Sequence, residues 1–422
     1  MFYALVKPWG KWAFGLWHRV EHHVPGAEFL GSNDGQPRPA RLLFGGHQNG
    51  LADPVLACIS LDPQLHFFTR ADVFRKRLAR WCVLRLNMMP AFRPIDRVKD
   101  LAERNKATFE AAHARLEQGA TCGIFPEAGH LDERRIRRFK HGSARFIAGA
   151  LQRRAIVERG LELLPMHLDF ERYEGYRTRA GVTVGAPVPF LDIPGLNEDA
   201  GHARIALSDR MRAALIQCAI QLNEGPTYNA HLAVCRFLEG HAGGRADRAA
   251  VERAGQLLEA HAEEVVRDFE AALAAGMEHP RSSEMWTAAG RIHAGRETRL
   301  RPLLWRLPAW LVFMASAGWW PRIIERWSTR SIEQVAFRTT LSIPANMMAV
   351  LLTWTLMAAA MAVIMNSAGA AVFLLLTLRI CQGLAMPLVD ALIDHSDERR
   401  AKRFLDQPFL SRWCHPPVPT PR

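Results

Sequence analysis

Short apolar stretches alternate with amphipathic segments over residues 41–190. Four stretches have the length and composition of buried strands: Arg41–Gly45, Cys122–Phe125, Leu161–Leu168 and Val182–Val184. Apolar positions recur at helical intervals at 54–61, 71–86, 97–118 and 141–156. Strands that alternate with helices predict an α/β fold in which a sheet is covered by helices. We place this α/β domain at residues 31–195.

Residues 1–30 precede this domain and have the pattern of an amphipathic helix. One face carries apolar side chains at steps of three or four: Leu5, Trp9, Trp12, Leu16 and Val20. Lys7, Lys11 and His18 share the opposite face, and Phe14 breaks the pattern. Such a helix is typical of a membrane interface. A helix packed on the protein's own core fits the pattern equally well.

The later part of the chain changes character twice. Residues 196–300 are mostly helical, without a repeat or a catalytic pattern, and are predicted to be a connector. Residues 301–405 contain two apolar runs, Ile343–Met365 and Ala370–Leu392, which are separated by a turn at residues 366–369. Each run reaches the roughly 20 residues that a membrane span needs, so we predict a transmembrane hairpin. The proline-rich segment 406–422 is predicted to be disordered.

The second span contains Arg379, Gln382 and Asp390. Because a charge inside the bilayer is costly, a re-entrant or interfacial helix is an alternative for this segment. Basic residues flank the outer ends of the hairpin, whereas its tip has none. The positive-inside rule therefore puts both ends in the cytoplasm.

The net charge of +12 indicates an anionic partner, which is a membrane, a nucleic acid or a phosphorylated substrate. A nucleic-acid binder needs a recognition element, and none is evident, so we predict no nucleic-acid partner. The seven cysteines include no CxxC pair, which argues against a disulfide framework and a structural zinc. His18 and His22 have the spacing of helical metal ligands, but the three histidines His18, His22 and His23 are better explained as the polar edge of the N-terminal helix, so no metal is predicted.

Four segments carry candidate chemistry. His47 follows a strand, and Asp53 lies one or two turns into the next helix, where a carboxylate can orient a histidine base. Arg93 follows a short apolar strand and lies next to a proline that fixes a turn, where its guanidinium can bind a phosphate. A strand ends in Phe125-Pro126-Glu127, followed by the small residues Ala128 and Gly129. The fourth segment is the apolar Leu164-Pro165-Met166. Taken singly, each is more often structural than functional.

A basic run follows the third segment and comprises Arg134, Arg135, Arg137, Arg138 and Lys140. Such a run is usually a solvated surface. Beside an active site it can also hold anionic headgroups or the phosphates of coenzyme A.

In this order, the four segments resemble the phospholipid/glycerol acyltransferase family, which includes the glycerol-3-phosphate and lysophosphatidic acid acyltransferases. The resemblance covers about residues 1–190. Two departures stand out: five residues separate His47 from Asp53 where four are commoner, and Ala128 stands where glycine is usual.

The resemblance implies that His47 deprotonates an acceptor hydroxyl and that Asp53 orients His47. It further implies that Arg93 binds the acceptor phosphate and that Glu127, with Ala128 and Gly129, shapes the acceptor site. The donor is acyl-CoA or acyl carrier protein, and no cofactor is required. The expected protein is a membrane-bound enzyme of phospholipid biosynthesis that acylates lysophosphatidic acid, with its active site on the cytoplasmic face. Glycerol-3-phosphate as the acceptor, and an inactive membrane scaffold with the same fold, remain the alternatives.

Overall fold

The structure is a computed structural model that describes residues 2–31, 38–75, 77–93, 96–129, 131, 133–222, 224–243 and 248–414. These residues divide into two compact units. The first comprises Met1–Gly15, Arg19–Phe170 and Arg179–Ala219. The second comprises Leu16–His18, Glu171–Thr178 and Ile220–Arg422. The first unit thus includes residues 196–219 of the expected connector, and the rest of the connector belongs to the second unit together with the expected hairpin.

A seven-stranded sheet forms the centre of the first unit and confirms the predicted α/β fold. Its elements in chain order are α1 (Phe2–Trp17), β1 (Arg19–Val20), β2 (Ala40–Gly45), α2 (Ala52–Ser60), β3 (Leu65–Arg70), α3 (Arg77–Arg85), β4 (Met89–Ala91), α4 (Leu101–Glu117), β5 (Thr121–Ile124), α5 (Gly142–Leu151), α6 (Arg154–Arg159), β6 (Leu161–Phe170), β7 (Arg179–Val184) and α7 (Gly201–Cys218). The strand order is β1-β7-β6-β2-β5-β3-β4. Strands β6, β2, β5, β3 and β4 are parallel, whereas β7 is antiparallel to β6.

The central strands are buried because helices cover both faces of the parallel part of the sheet. All six residues of β2 are buried, and so are the last eight residues of β6. Continuous apolar runs are typical of such strands, which explains why both could be predicted. β1 and β3 were not predicted. β1 is only two residues long, and the exposure along β3 is mixed. Pro90 lies in β4, an edge strand, where proline is tolerated.

Helix α1 combines the two interpretations of the N-terminal pattern. Phe14, the residue outside the pattern, is fully buried and contacts Phe170. The Tyr3 hydroxyl donates a hydrogen bond to the Cys58 carbonyl at 3.2 Å. The helix is therefore packed on the core of its unit. Leu5 and Trp9 remain 67% and 53% exposed, which leaves an apolar surface of the kind that enters a membrane interface.

The second unit is helical. Its helices are α8 (Tyr228–Ala242), α9 (Arg248–Ala274, interrupted at His261), α10 (Met285–His293), α11 (Leu307–Ser316), α12 (Trp320–Ser331), α13 (Val335–Ile364), α14 (Ala368–Ala401) and α15 (Pro408–Cys414). One hydrophobic core joins α8, α9 and α10 to the end of the chain. The expectation of disorder from residue 406 is wrong for α15, because Phe409, Leu410 and Trp413 are buried in that core. Residues 415–422 lie outside the described residues.

Two helices of this unit are long and apolar enough to cross a bilayer, Phe337–Ile364 and Ala368–Phe404. Only 17% and 33% of their most apolar stretches are buried inside the protein. A core helix of a soluble protein would be mostly covered. The large exposed apolar side chains along them, such as Val363 and Phe373, therefore favour a lipid environment.

The polar residues inside the second span have partners. Arg379 donates to the Gln382 side chain at 3.1 Å. Asp390 accepts two hydrogen bonds from the Arg177 guanidinium, at 2.6 and 2.8 Å. Since a helix rises about 1.5 Å per residue, Asp390 lies about 33 Å along α14, and the thickness of a hydrocarbon core is about 30 Å. These pairings reduce the cost of burying the charges that made a re-entrant or interfacial helix an alternative for this segment.

Candidate active site

The strand ends bring the four sequence segments to one edge of the sheet. Parallel strands end on the same side, so the residues that follow β2, β5 and β4 lie along a common edge. Phe44 in β2 is in register with Ile124 on one side and with Pro165 on the other. The first, third and fourth segments are therefore immediate neighbours.

His47 and Asp53 form a close pair at this edge. His47 follows β2, and Asp53 lies in the first turn of α2. Nδ1 of His47 is 2.7 Å from Oδ2 of Asp53. The carboxylate is fully buried, whereas 21% of the His47 side chain is exposed. A carboxylate that accepts from Nδ1–H leaves the lone pair on Nε2, which is the tautomer that a general base needs.

Asp53 also organises the loop that carries the histidine. Its Oδ2 accepts hydrogen bonds from the backbone N–H groups of Gln48 and Asn49, at 2.9 and 2.8 Å. Negative charge is favoured at a helix N-terminus, and charge-assisted hydrogen bonds are strong. The loop between His47 and Asp53 therefore wraps around the carboxylate. The five-residue spacing is compatible with direct contact between the two side chains.

Aromatic packing fixes the plane of the histidine ring. The Phe125 ring stacks on His47 with 4.5 Å between centroids and 16° between planes. Phe67 stacks on the other side of Phe125 at 5.4 Å. The sequence analysis named Phe125 as part of a segment but gave it no role. With Asp53 bound to one edge of the ring and Phe125 against its face, His47 has little rotational freedom.

Glu127 is a buried residue that holds the loop of His47 by hydrogen bonds. Its Oε1 accepts the His47 backbone N–H at 3.1 Å, and its Oε2 accepts Nε–H of Arg137 at 2.8 Å. The residue is only 4% exposed. With the Arg137 backbone N–H at 3.3 Å, three internal donors hold this carboxylate, so its charge is used within the protein.

The turn after Glu127 requires a left-handed backbone at Ala128. The φ angle of Ala128 is +56°, and its N–H donates to the Phe125 carbonyl at 3.2 Å. This conformation costs a residue with a Cβ about 1–2 kcal/mol, which explains why glycine is usual there. Ala128 itself adopts the conformation, so Gly129 does not substitute for it. The Gly129 carbonyl accepts a hydrogen bond from Arg137.

The basic run is not a uniform solvated surface. Arg134 is buried and pairs with Asp169 at 3.5 Å. Arg137 is bound to Glu127 and Gly129, whereas Arg138 and Lys140 are exposed. Sequence reasoning missed Arg137 as a partner of Glu127, because nothing distinguishes it from the other cations of the run.

Arg93 lies farther along the same edge. It follows β4, which is three strands from β2. At about 4.8 Å per strand, the two strand ends are about 14 Å apart. The guanidinium donates to Asp96 at 3.0 Å and lowers the pKa of that carboxyl group. Hydrogen bonds thus join His47, Asp53 and Glu127. Arg93 is not part of this group and lies at the outer end of the same sheet edge. Pro94 lies outside the described residues.

The comparison with known families identifies this domain. Residues 30–167 match the family model described as Acyltransferase. This segment of the chain is an acyltransferase domain. The matched segment of the acyltransferase runs from before β2 into β6 and contains His47, Asp53, Arg93 and Glu127. It confirms the family resemblance and shows that the protein is an acyltransferase enzyme.

Among solved structures, the acyltransferase is similar to the crystal structure of the 1-acyl-sn-glycerophosphate (LPA) acyltransferase PlsC from Thermotoga maritima. The sequence identity is 18% and the TM-score is 0.34. The similarity covers 50% of this chain and 80% of that chain. No curated protein matches the chain.

Proposed function

We propose that this acyltransferase moves a fatty acyl group from an acyl thioester to the free hydroxyl of lysophosphatidic acid, as a membrane-bound enzyme of phospholipid biosynthesis. The observation that carries the proposal is the 2.7 Å contact between His47 Nδ1 and Asp53 Oδ2 at the edge of the sheet. The proposal is supported by the position of both residues within the matched acyltransferase domain. The choice of acceptor rests on the resemblance of the four segments to the family that includes the lysophosphatidic acid acyltransferases.

The proposed reaction needs a base, a positioned acceptor and an activated donor. Nε2 of His47 removes the proton of the acceptor hydroxyl, and the oxygen attacks the thioester carbonyl. A carbon–oxygen bond forms as the carbon–sulfur bond breaks, and the imidazolium returns its proton to the leaving thiolate. Asp53 stabilises the positive charge on His47 during the transfer. The thioester is already activated, so a base and positioning supply most of the catalysis, and no cofactor takes part.

Acyl-CoA and acyl carrier protein are both donors of this chemistry. Arg138 and Lys140 are the exposed cations of the basic run and are the residues that we assign to a phosphate-bearing donor or to anionic headgroups. Glu127, Ala128 and Gly129 shape the acceptor site through the turn that they form.

The acceptor is tested by offering lysophosphatidic acid and glycerol-3-phosphate in parallel to the purified protein in detergent micelles. Radiolabelled acyl-CoA and acylated carrier protein serve as alternative donors. We expect transfer to lysophosphatidic acid to be at least tenfold faster. Faster acylation of glycerol-3-phosphate would make that compound the acceptor, whereas no transfer from either donor would favour the inactive scaffold.

Arg93→Ala is expected to lower kcat/KM for lysophosphatidic acid by about 10- to 100-fold, mainly through KM, because hydrogen bonds to a charged group contribute about 1.5–3 kcal/mol. Arg93→Lys should recover part of the loss, since it keeps the charge but not the paired donors. Arg154→Ala is the matched control, because that side chain is 90% exposed. A value of kcat/KM within twofold of the wild type would remove Arg93 from the acceptor site.

We further propose that the two apolar helices form a membrane hairpin with both outer ends in the cytoplasm. Arg322, Arg326 and Arg330 precede the hairpin, and Arg399, Arg400 and Arg403 follow its apolar part. The tip at Asn366 and Ser367 carries no charge. By the positive-inside rule, the chain before the hairpin, which includes His47, then lies on the cytoplasmic side.

A cysteine at the exposed tip tests this orientation. In intact cells, Ser367→Cys is expected to add label from a membrane-impermeant maleimide, relative to the wild type. Arg330→Cys, on an exposed position of α12, should gain label only after the cells are permeabilised. The reverse labelling pattern would invert the proposed topology, and equal labelling of both variants in intact cells would contradict a hairpin.

A further inference from the structure

Three metal-binding side chains that are far apart in sequence meet in the second unit. His241 lies in the last turn of α8, His293 ends α10, and Cys414 ends α15. The Cys414 Sγ is 3.7 Å from Nδ1 of His241 and 3.7 Å from Nδ1 of His293. Within the described residues, one ligand atom from each of the three lies within 4.8 Å of the others. All three residues are half-buried.

We propose that His241, His293 and Cys414 bind a zinc ion. Zinc takes thiolate sulfur at about 2.3 Å and imidazole nitrogen at about 2.0–2.1 Å in tetrahedral geometry. These bond lengths place sulfur and nitrogen about 3.6 Å apart around one ion. The two distances of 3.7 Å match this value, and all three ligand atoms lie within 4.8 Å of one another, so rotations of the side chains would bring them around one ion.

The electrostatics of the helix ends favour a cation at this position. Both histidines lie in the last turns of their helices, where the carbonyl groups carry partial negative charge. The thiolate of Cys414 would add a full negative charge once zinc displaces its proton. The Arg296 side chain donates to the Ala242 carbonyl and occupies part of the α8 terminus. The Sγ atom and the two nitrogen atoms still face one another.

Packing holds the two imidazole rings in place without the ion. The Phe237 ring stacks on His241, with 6.4 Å between centroids, and meets the His293 ring edge-on at 5.8 Å. Phe237 also contacts Trp413, the residue before Cys414. A preorganised ligand set loses less conformational entropy when it binds.

The site would attach α15 to the helices on which it packs. Phe409, Leu410 and Trp413 already place this short helix in the core of α8, α9 and α10. A zinc ion at its last residue would add three bonds that link it to two of those helices. These bonds would hold α15 against α8 and α10, and water or another donor would complete the four-coordinate shell that zinc takes. This inference does not depend on the proposed acyl-transfer reaction.

The test uses the full chain, purified in detergent with a tag that contains no histidine. Elemental analysis is expected to find about one zinc per chain. Cobalt added to chelator-treated protein should give a thiolate-to-cobalt charge-transfer absorption. A chelator should lower the unfolding temperature by about 5–10 °C, and zinc should restore it.

Two variants, Cys414→Ser and His293→Gln, are expected to lose the zinc and the cobalt absorption. Cys414→His, which supplies a nitrogen donor, should keep zinc without the thiolate absorption. Cys381→Ser and His395→Gln are the matched controls, since both residues lie on α14 and should keep one zinc per chain. If a variant fails to fold, the thiolate-to-cobalt absorption of the wild type still shows whether a cysteine of the chain binds the metal. A wild type that binds neither metal, or zinc binding that survives both Cys414→Ser and His293→Gln, would overturn the proposal.

Discussion

His47→Ala is expected to slow acyl transfer by about 10³-fold at saturating substrates, because general bases contribute about 10²- to 10⁴-fold. In the structure, His47 is held by three contacts, two to its ring and one to its backbone. Asp53 holds Nδ1, Phe125 stacks on the ring, and Glu127 holds the backbone N–H. Alanine removes the base and leaves the loop in place. The measurement is the rate of radiolabelled acyl transfer to lysophosphatidic acid under saturating conditions.

The free energy of unfolding should change little in this variant. The ring is partly exposed, and Asp53 Oδ2 keeps its two backbone donors at Gln48 and Asn49. His141→Ala is the matched control, since His141 is exposed just before α5 and should leave the rate unchanged. A His47→Ala protein that is folded and turns over within tenfold of the wild type would contradict the role of His47.

Asp53→Asn is expected to reduce acyl transfer by about 10²- to 10⁴-fold with a smaller effect on stability. The amide keeps the shape of the carboxylate but cannot offset the positive charge on His47, and it favours the wrong tautomer. Its oxygen can still accept from the backbone N–H groups of Gln48 and Asn49. We expect the free energy of unfolding to fall by only about 1 kcal/mol, measured by denaturant titration.

Asp53→Ala separates the catalytic role of Asp53 from its structural role. Alanine leaves two buried N–H groups without their acceptor, at a cost of about 1–3 kcal/mol each. The free energy of unfolding should therefore fall by about 3 kcal/mol in addition to the loss of activity. If Asp53→Asn kept more than half of the wild-type rate, Asp53 would only stabilise the loop and would not be the partner of a catalytic base.

The α/β fold class could be predicted from the sequence, and so could the four segments that carry the candidate site residues. Continuous apolar runs marked β2 and β6, because strands buried on both faces have no polar positions. The parallel order of the strands then brought His47, Asp53 and Glu127 together. A strand of two residues is too short for a pattern, which is why β1 was missed.

Contacts between distant residues could not be predicted in this way. Arg137 has no feature that distinguishes it from its neighbours in the basic run, yet it holds Glu127. Helix α15 was not predicted, because the last segment is proline-rich. Its three buried apolar side chains are covered by helices that lie more than 100 residues earlier in the chain. The expectation of no metal rested on local spacing, whereas Cys414 is 121 and 173 residues from the two histidines that it approaches.

The acyl-transfer rates of the wild type, His47→Ala, Asp53→Asn and the double variant, measured together in one assay, test the central claim most directly. Residues that act as a unit are not additive. Because Asp53 acts through His47, we predict that the double variant is no slower than His47→Ala alone. A double variant slowed by the product of the two single effects would contradict the pair as one catalytic unit.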